Sequence, residues 1–60
     1  MNMFKVAVYA GENKINTIPM KDKDLMADMI YNMEGNGLVI HVEDADGFTV
    51  YHTPEITGEG

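Results

Sequence analysis

Between two pairs of short apolar strand runs, this chain carries a single stripe of helical spacing: Leu25, Met26, Met29, Ile30 and Met33. One amphipathic helix covers one face of one sheet and no more. The stripe therefore predicts a two-layer arrangement. The strand runs set the rest of the plan. Phe4-Lys5-Val6-Ala7-Val8-Tyr9 alternates with period two, so Phe4, Val6 and Val8 share one face and Lys5, Ala7 and Tyr9 the other. Gly11-Glu12 suits a two-residue type II′ turn. That turn sets Val8 opposite Ile15 and Tyr9 opposite Lys14, with a second strand over Lys14 to Ile18 that Pro19 ends.

Asp22 is positioned to cap a helix over Lys23 to Glu34, and Gly35 or Gly37 to close it in the left-handed conformation. Leu38 to Glu43 and Phe48 to Thr53 are the third and fourth strand runs. Asp44-Ala45-Asp46-Gly47 joins them as a type I turn with a glycine bulge, pairing Val42 with Val50 and His41 with Tyr51. The fold class expected is α+β: a two-layer ββαββ domain, with a four-stranded sheet of two hairpins covered on one face by a single helix. Val42, Val50, Ile40, Phe48, Met29 and Ile30 are the expected core. The methionines of the stripe fill its irregular gaps. The chain has no internal repeat and no low-complexity run, so residues 1–60 read as one domain, with 55–60 a flexible C-terminal tail.

A domain of 60 residues buries only about 60% of the surface its unfolded chain exposes. Such scaffolds usually add disulfides, a metal or a partner subunit. There is no cysteine, which removes disulfides and thiolate zinc sites. His41 and His52 are the only imidazoles and are expected on opposite faces, so no metal site and no cofactor is expected within one subunit. Oligomerisation is the remaining staple, and a homodimer the expected form.

Ten acidic residues against four lysines leave a net charge of −6, with no arginine. That balance argues against direct binding of nucleic acid or of an anionic membrane. No leader peptide and no membrane span is evident, so a cytoplasmic location is expected, the host cytoplasm if a phage encodes the chain. Asp44-x-Asp46-Gly47 has the opening of a calcium loop, but its twelfth position, Glu55, follows a strand and Pro54. A tight acidic turn accounts for every residue there.

Two surfaces remain as candidate sites. One is the open sheet face, with Tyr9, Ile18, Val39, His41, Tyr51 and Thr53 as a protein interface, since apolar and aromatic residues with few charges mark interface cores. The other is acidic: Asp22, Asp24 and Asp28 on the helix, and Glu43, Asp44 and Asp46 at the second hairpin. No catalytic residue is expected, because a domain this small has little volume for a water-excluding pocket. An enzyme or carrier using His41 and Tyr51 is the least favoured alternative. In size and composition the chain resembles the small, acidic, cysteine-free proteins encoded by bacteriophages and other mobile elements, many of which inhibit a host protein by binding it. The likeness extends to no motif. The function expected is a protein-binding module, an inhibitor of a host enzyme or defence factor, acting by contact. The alternatives are an accessory subunit of a larger complex and an acidic nucleic-acid mimic.

Overall fold

The computed structural model describes residues 3–54. The expected tail at 55–60 and Glu55 lie outside the described residues. Four strands and one helix follow in the order β1 (Phe4–Ala10), β2 (Asn13–Met20), α1 (Lys23–Gly35), β3 (Val39–Glu43) and β4 (Thr49–His52). The sheet runs β2-β1-β3-β4 and every pairing is antiparallel. The chain thus makes one hairpin, crosses the sheet as α1, and adds the second hairpin on the far side of β1. This is the expected ββαββ two-layer plan.

The helix begins where Asp22 caps it. The Asp22 carboxylate accepts from the Asp24 N–H at 2.9 Å and the Leu25 N–H at 3.1 Å, which satisfies two of the donors a helix start leaves unpaired. It ends in a Schellman motif around Gly37, whose φ is +85°. The Leu38 N–H donates to the Met33 carbonyl at 3.1 Å and the Gly37 N–H to the Glu34 carbonyl at 3.0 Å. Leu38 and Met33 both pack against the core.

The core sits under the two central strands. Val6 and Val8 of β1, Ile40 and Val42 of β3, and Ile30 of α1 are buried, and Phe4, Ile18, Met20, Met26, Met29, Met33 and Leu38 pack around them. Phe48 and Val50, expected in this core, are exposed. For Val50 the cause is a bulge: β3 and β4 pair Glu43 with Thr49 but Val42 with Tyr51, leaving Val50 as the extra residue, while Phe48 lies before β4, held in the turn by Asp44. One added residue turns every following side chain of β4 to the opposite face. The expected pairs Val42–Val50 and His41–Tyr51 are replaced by Val42–Tyr51 and His41–His52.

The first hairpin carries a second bulge. Gly11 has φ +65° and Glu12 has no positive φ, the signature of the expected type II′ turn. Tyr9 faces Lys14 as expected, but Val8 faces Asn16, so Ile15 is extra and exposed instead of opposite Val8. Ile18 then stands opposite Val6, on the helix side. Pro19 does not end the strand; it pairs with Lys5 inside β2. β2 is an edge, where a missing N–H leaves no neighbouring strand short of a donor.

Candidate functional site

The two bulges divide the residues expected on the open sheet face. Tyr9, Val39 and His41 are on it. Ile18, Tyr51 and Thr53 are not. Residues directly opposite in an antiparallel pair share a face, so Ile18 goes with buried Val6 and Tyr51 with buried Val42. Thr53, two residues past Tyr51, follows it to the helix side. The open face holds Lys5, Ala7 and Tyr9 from β1, Val39, His41 and Glu43 from β3, and Thr49 and His52 from β4. It is more polar than the sequence suggests, and no second layer covers it among the described residues.

On the helix side the rearrangement builds a clamp. The Tyr51 hydroxyl donates to Glu34 Oε2 at 2.5 Å and the Thr53 hydroxyl donates to the same oxygen at 2.6 Å. Thr53 is itself held to β3: its Oγ1 accepts from the Ile40 N–H at 2.9 Å, and its own N–H donates to the Ile40 carbonyl at 2.9 Å. The hydrogen bond from Thr53, and after it that from Tyr51, hold the half-buried Glu34 carboxyl below its ordinary range against a small opposing effect of burial. Accepting negative charge at its oxygen, Tyr51 is raised, first by the bond to Glu34, then by burial and by the charge of Glu34, with Thr53 acting the other way. Sequence reasoning missed Glu34 as a site residue. The available signal was its spacing: Glu34 falls four residues after Ile30, on the same helix stripe.

Each partner implies a direction of pH dependence. Glu34 is lowered on folding, so its contribution to stability is complete above the ordinary glutamate range, about 4.3, and fades as pH falls through its depressed value. Tyr51 is raised, so its contribution is complete below about 10 and fades as pH rises beyond that. Between those limits both are in full effect. Urea unfolding from pH 7 down to pH 3 should show Glu34→Gln losing less stability on acidification than the unsubstituted chain. Equal losses would mean the clamp does not form.

Beside the clamp runs an apolar groove of about 370 Å³, lined by Met26, Ala27, Ile30, Tyr31, Glu34 and Tyr51. Tyr31, which lines this groove, is exposed; Val50 in β4 and Phe48 just before it are exposed too.

On the open face the bulge at Val50 places His41 directly opposite His52. The expectation of opposite faces is overturned, as is that of His41 paired with Tyr51. The two rings meet edge to face, centroids 5.8 Å apart and planes at 79°. His41 Nε2 is in hydrogen-bond contact with Thr49 Oγ1 at 2.9 Å and lies 3.9 Å from Glu43 Oε2.

The expected acidic patches have structural duties. Asp22 caps α1, and Asp24 sits in its first turn near the positive end of the helix dipole. Asp44 organises the second hairpin: its carboxylate accepts from the N–H of Asp46 at 2.9 Å and of Phe48 at 3.0 Å. Asp28, on the following turn of the helix, and Asp46 are exposed and Glu43 is half-buried. Among the described residues no three His, Asp or Glu side chains gather at one point as a metal cage, and no helix is long and apolar enough to cross a membrane.

No protein-family model, no curated protein and no solved structure matches the chain.

Proposed function

We propose that this chain is a small protein-binding module acting by contact, and that its contact surface is the margin formed by β4 and the adjoining flank of α1. The observation that carries this reading is the exposure of Tyr31 (79%) beside the groove and of Phe48 (69%) and Val50 (51%) at β4. Large exposed aromatic and aliphatic side chains with few charges among them are the composition of an interface core. The surface differs from the open sheet face that the alternation alone suggests, because the β4 bulge moves Tyr51 across the sheet.

A second copy of the chain is the occupant that fits. Phe48 to Pro54 contains no Asp, Glu, Lys or Arg in a chain of net charge −6, so two copies meeting there avoid the repulsion met elsewhere on an acidic surface. β4 also lies at the sheet margin and, unlike β2 with its Pro19 and Lys14, contains neither proline nor lysine. Antiparallel pairing of β4 with its own copy gives a closed two-fold dimer. The acidic-mimic alternative is weaker, since Asp22 and Asp44 spend their carboxylates on the chain's own backbone. Catalysis is not favoured, because Glu34, the carboxylate beside the groove, has two donors on one oxygen and a lowered pKa.

Sedimentation at micromolar concentration tests the reading. The unsubstituted chain should run as a dimer and Val50→Lys as a folded monomer, because the substitution sets two like charges against each other at the contact. Val50 is exposed and bulged, so the fold should tolerate lysine. A cooperatively folded monomer of the unsubstituted chain would refute self-pairing and leave the margin to a different protein.

A further inference from the structure

The groove between α1 and β4 is apolar except at one point. Met26, Ala27, Ile30 and Tyr31 of α1 and Tyr51 of β4 wall about 370 Å³, and Glu34 is the sole carboxylate among the lining residues. Both hydroxyl donors of the clamp go to its Oε2, Tyr51 at 2.5 Å and Thr53 at 2.6 Å. Oε1 keeps its lone pairs free of these two bonds. The groups that set the titration of Glu34 are the two hydroxyls and burial, with no cation among them. Neutral hydroxyls fix the position of a carboxylate without cancelling its charge. The groove therefore ends in a held, ionised and uncompensated oxygen. Its complement is an apolar stem with one positive tip.

Two side chains have that form, and the clamp separates them. The arginine fork binds best across both oxygens of a carboxylate, and here Oε2 already serves two hydroxyls. The lysine ammonium is a compact charge that one oxygen can receive, on a four-carbon stem that lies along apolar surface. Tyr31, exposed on the groove wall, offers a ring face to the same cation. Ala27, Tyr31 and Tyr51 are all exposed, so the groove is a trough on the surface. Small-molecule sites instead bury most of their ligand. A trough suits a side chain that a partner's own surface already holds in place.

We infer that this groove docks a lysine side chain presented by a basic protein, its stem along Met26, Ala27 and Ile30 and its ammonium on Glu34 Oε1. The inference rests on the reading of the chain as a contact module and adds a partner other than a second copy. Ten acids against four lysines steer a basic surface toward this charged groove and a second copy away from it. Because two hydroxyls already hold Glu34, the pair loses less side-chain freedom than an ordinary surface ion pair does.

The test is a titration of the full chain with three blocked alanine pentapeptides that carry lysine, arginine or norleucine at the centre, followed by methyl and aromatic NMR shifts. The lysine peptide should shift Met26, Ala27, Ile30 and Tyr31 together and saturably. It should bind roughly three- to tenfold more tightly than the norleucine peptide, the worth of a partly exposed ion pair with an aromatic neighbour, and more tightly than the arginine peptide. That preference should shrink as salt is added. Glu34→Gln keeps an oxygen for the two hydroxyls, so it should melt cooperatively while binding the lysine and norleucine peptides alike. Equal binding of those two peptides by the unsubstituted chain would overturn the inference, leaving an apolar groove that selects no cation. A preference for arginine would overturn the assignment to lysine. Shifts confined to Asp28, Asp44 and Asp46 would overturn it as well, as attraction to the acidic surface at large. Absence of any saturable shift would do the same. Failure of the dimer reads out separately, in sedimentation, because every lining residue of the groove belongs to one chain.

Discussion

Replacing Ile30 by alanine is expected to destabilise the protein by about 2–5 kcal/mol, the range for truncating a buried isoleucine or leucine. Among the described residues Ile30 is the one side chain of α1 that is buried, and it packs with Val6, Val8, Ile40 and Val42. The methionines around it are only partly covered, so the helix is held to the sheet largely through this residue. A domain of this length has a total stability of only about 3–9 kcal/mol, so the variant should melt far below the unsubstituted chain or lose its cooperative transition. Leu25→Ala is the control. Leu25 belongs to the same stripe by spacing but is 59% exposed, and its truncation should stay within about 0.5 kcal/mol. Urea unfolding decides between them. Equal effects at the two positions would mean that α1 packs through a different face.

That contrast shows where sequence reasoning succeeds and where it stops. Period-two and helical spacing locate the five elements, because each must turn its apolar residues to one side. Caps and turns are equally legible: Asp22, Gly11, Gly37 and Gly47 do what their chemistry demands, and each acts within a few residues of itself. Sheet register is a different kind of quantity. A single bulged residue reverses all side chains that follow it, and nothing in the run Phe48-Thr49-Val50-Tyr51-His52-Thr53 marks Val50 as the one to be left out. Its consequences are global: Val50 leaves the core, Tyr51 and Thr53 reach Glu34, and His41 gains His52 as its neighbour. The same applies to Ile15 and Ile18 across the first hairpin. Every expected site residue that moved lies beyond a bulge. Tyr9, Val39 and His41, on the central strands, did not move.

Gly47→Val is expected to cost about 1–3 kcal/mol, the cost of holding a residue in a sparsely populated backbone conformation. Gly47 has φ +89°, and a Cβ built there would meet no atom within 4 Å, so the loss arises from the backbone and not from a clash. A β-branched side chain is poorly tolerated at positive φ, whereas asparagine visits that region more readily. Gly47→Asn should therefore lose clearly less than Gly47→Val. Gly35→Ala supplies a change of opposite sign. Gly35 ends α1 without a positive φ and also has open space for a Cβ, so alanine there should stabilise by about 0.4–1 kcal/mol by restricting the unfolded chain. The turn also sets the position of β4: the Gly47 N–H donates to the Asp44 carbonyl at 3.0 Å and the Asp44 N–H to the Phe48 carbonyl at 2.9 Å. Strain at Gly47 should thus be felt beyond the turn, as faster amide exchange at Thr53, whose N–H is tied to the Ile40 carbonyl. If Gly47→Val lost stability with Thr53 exchange unchanged, the turn would not be what holds β4 in register.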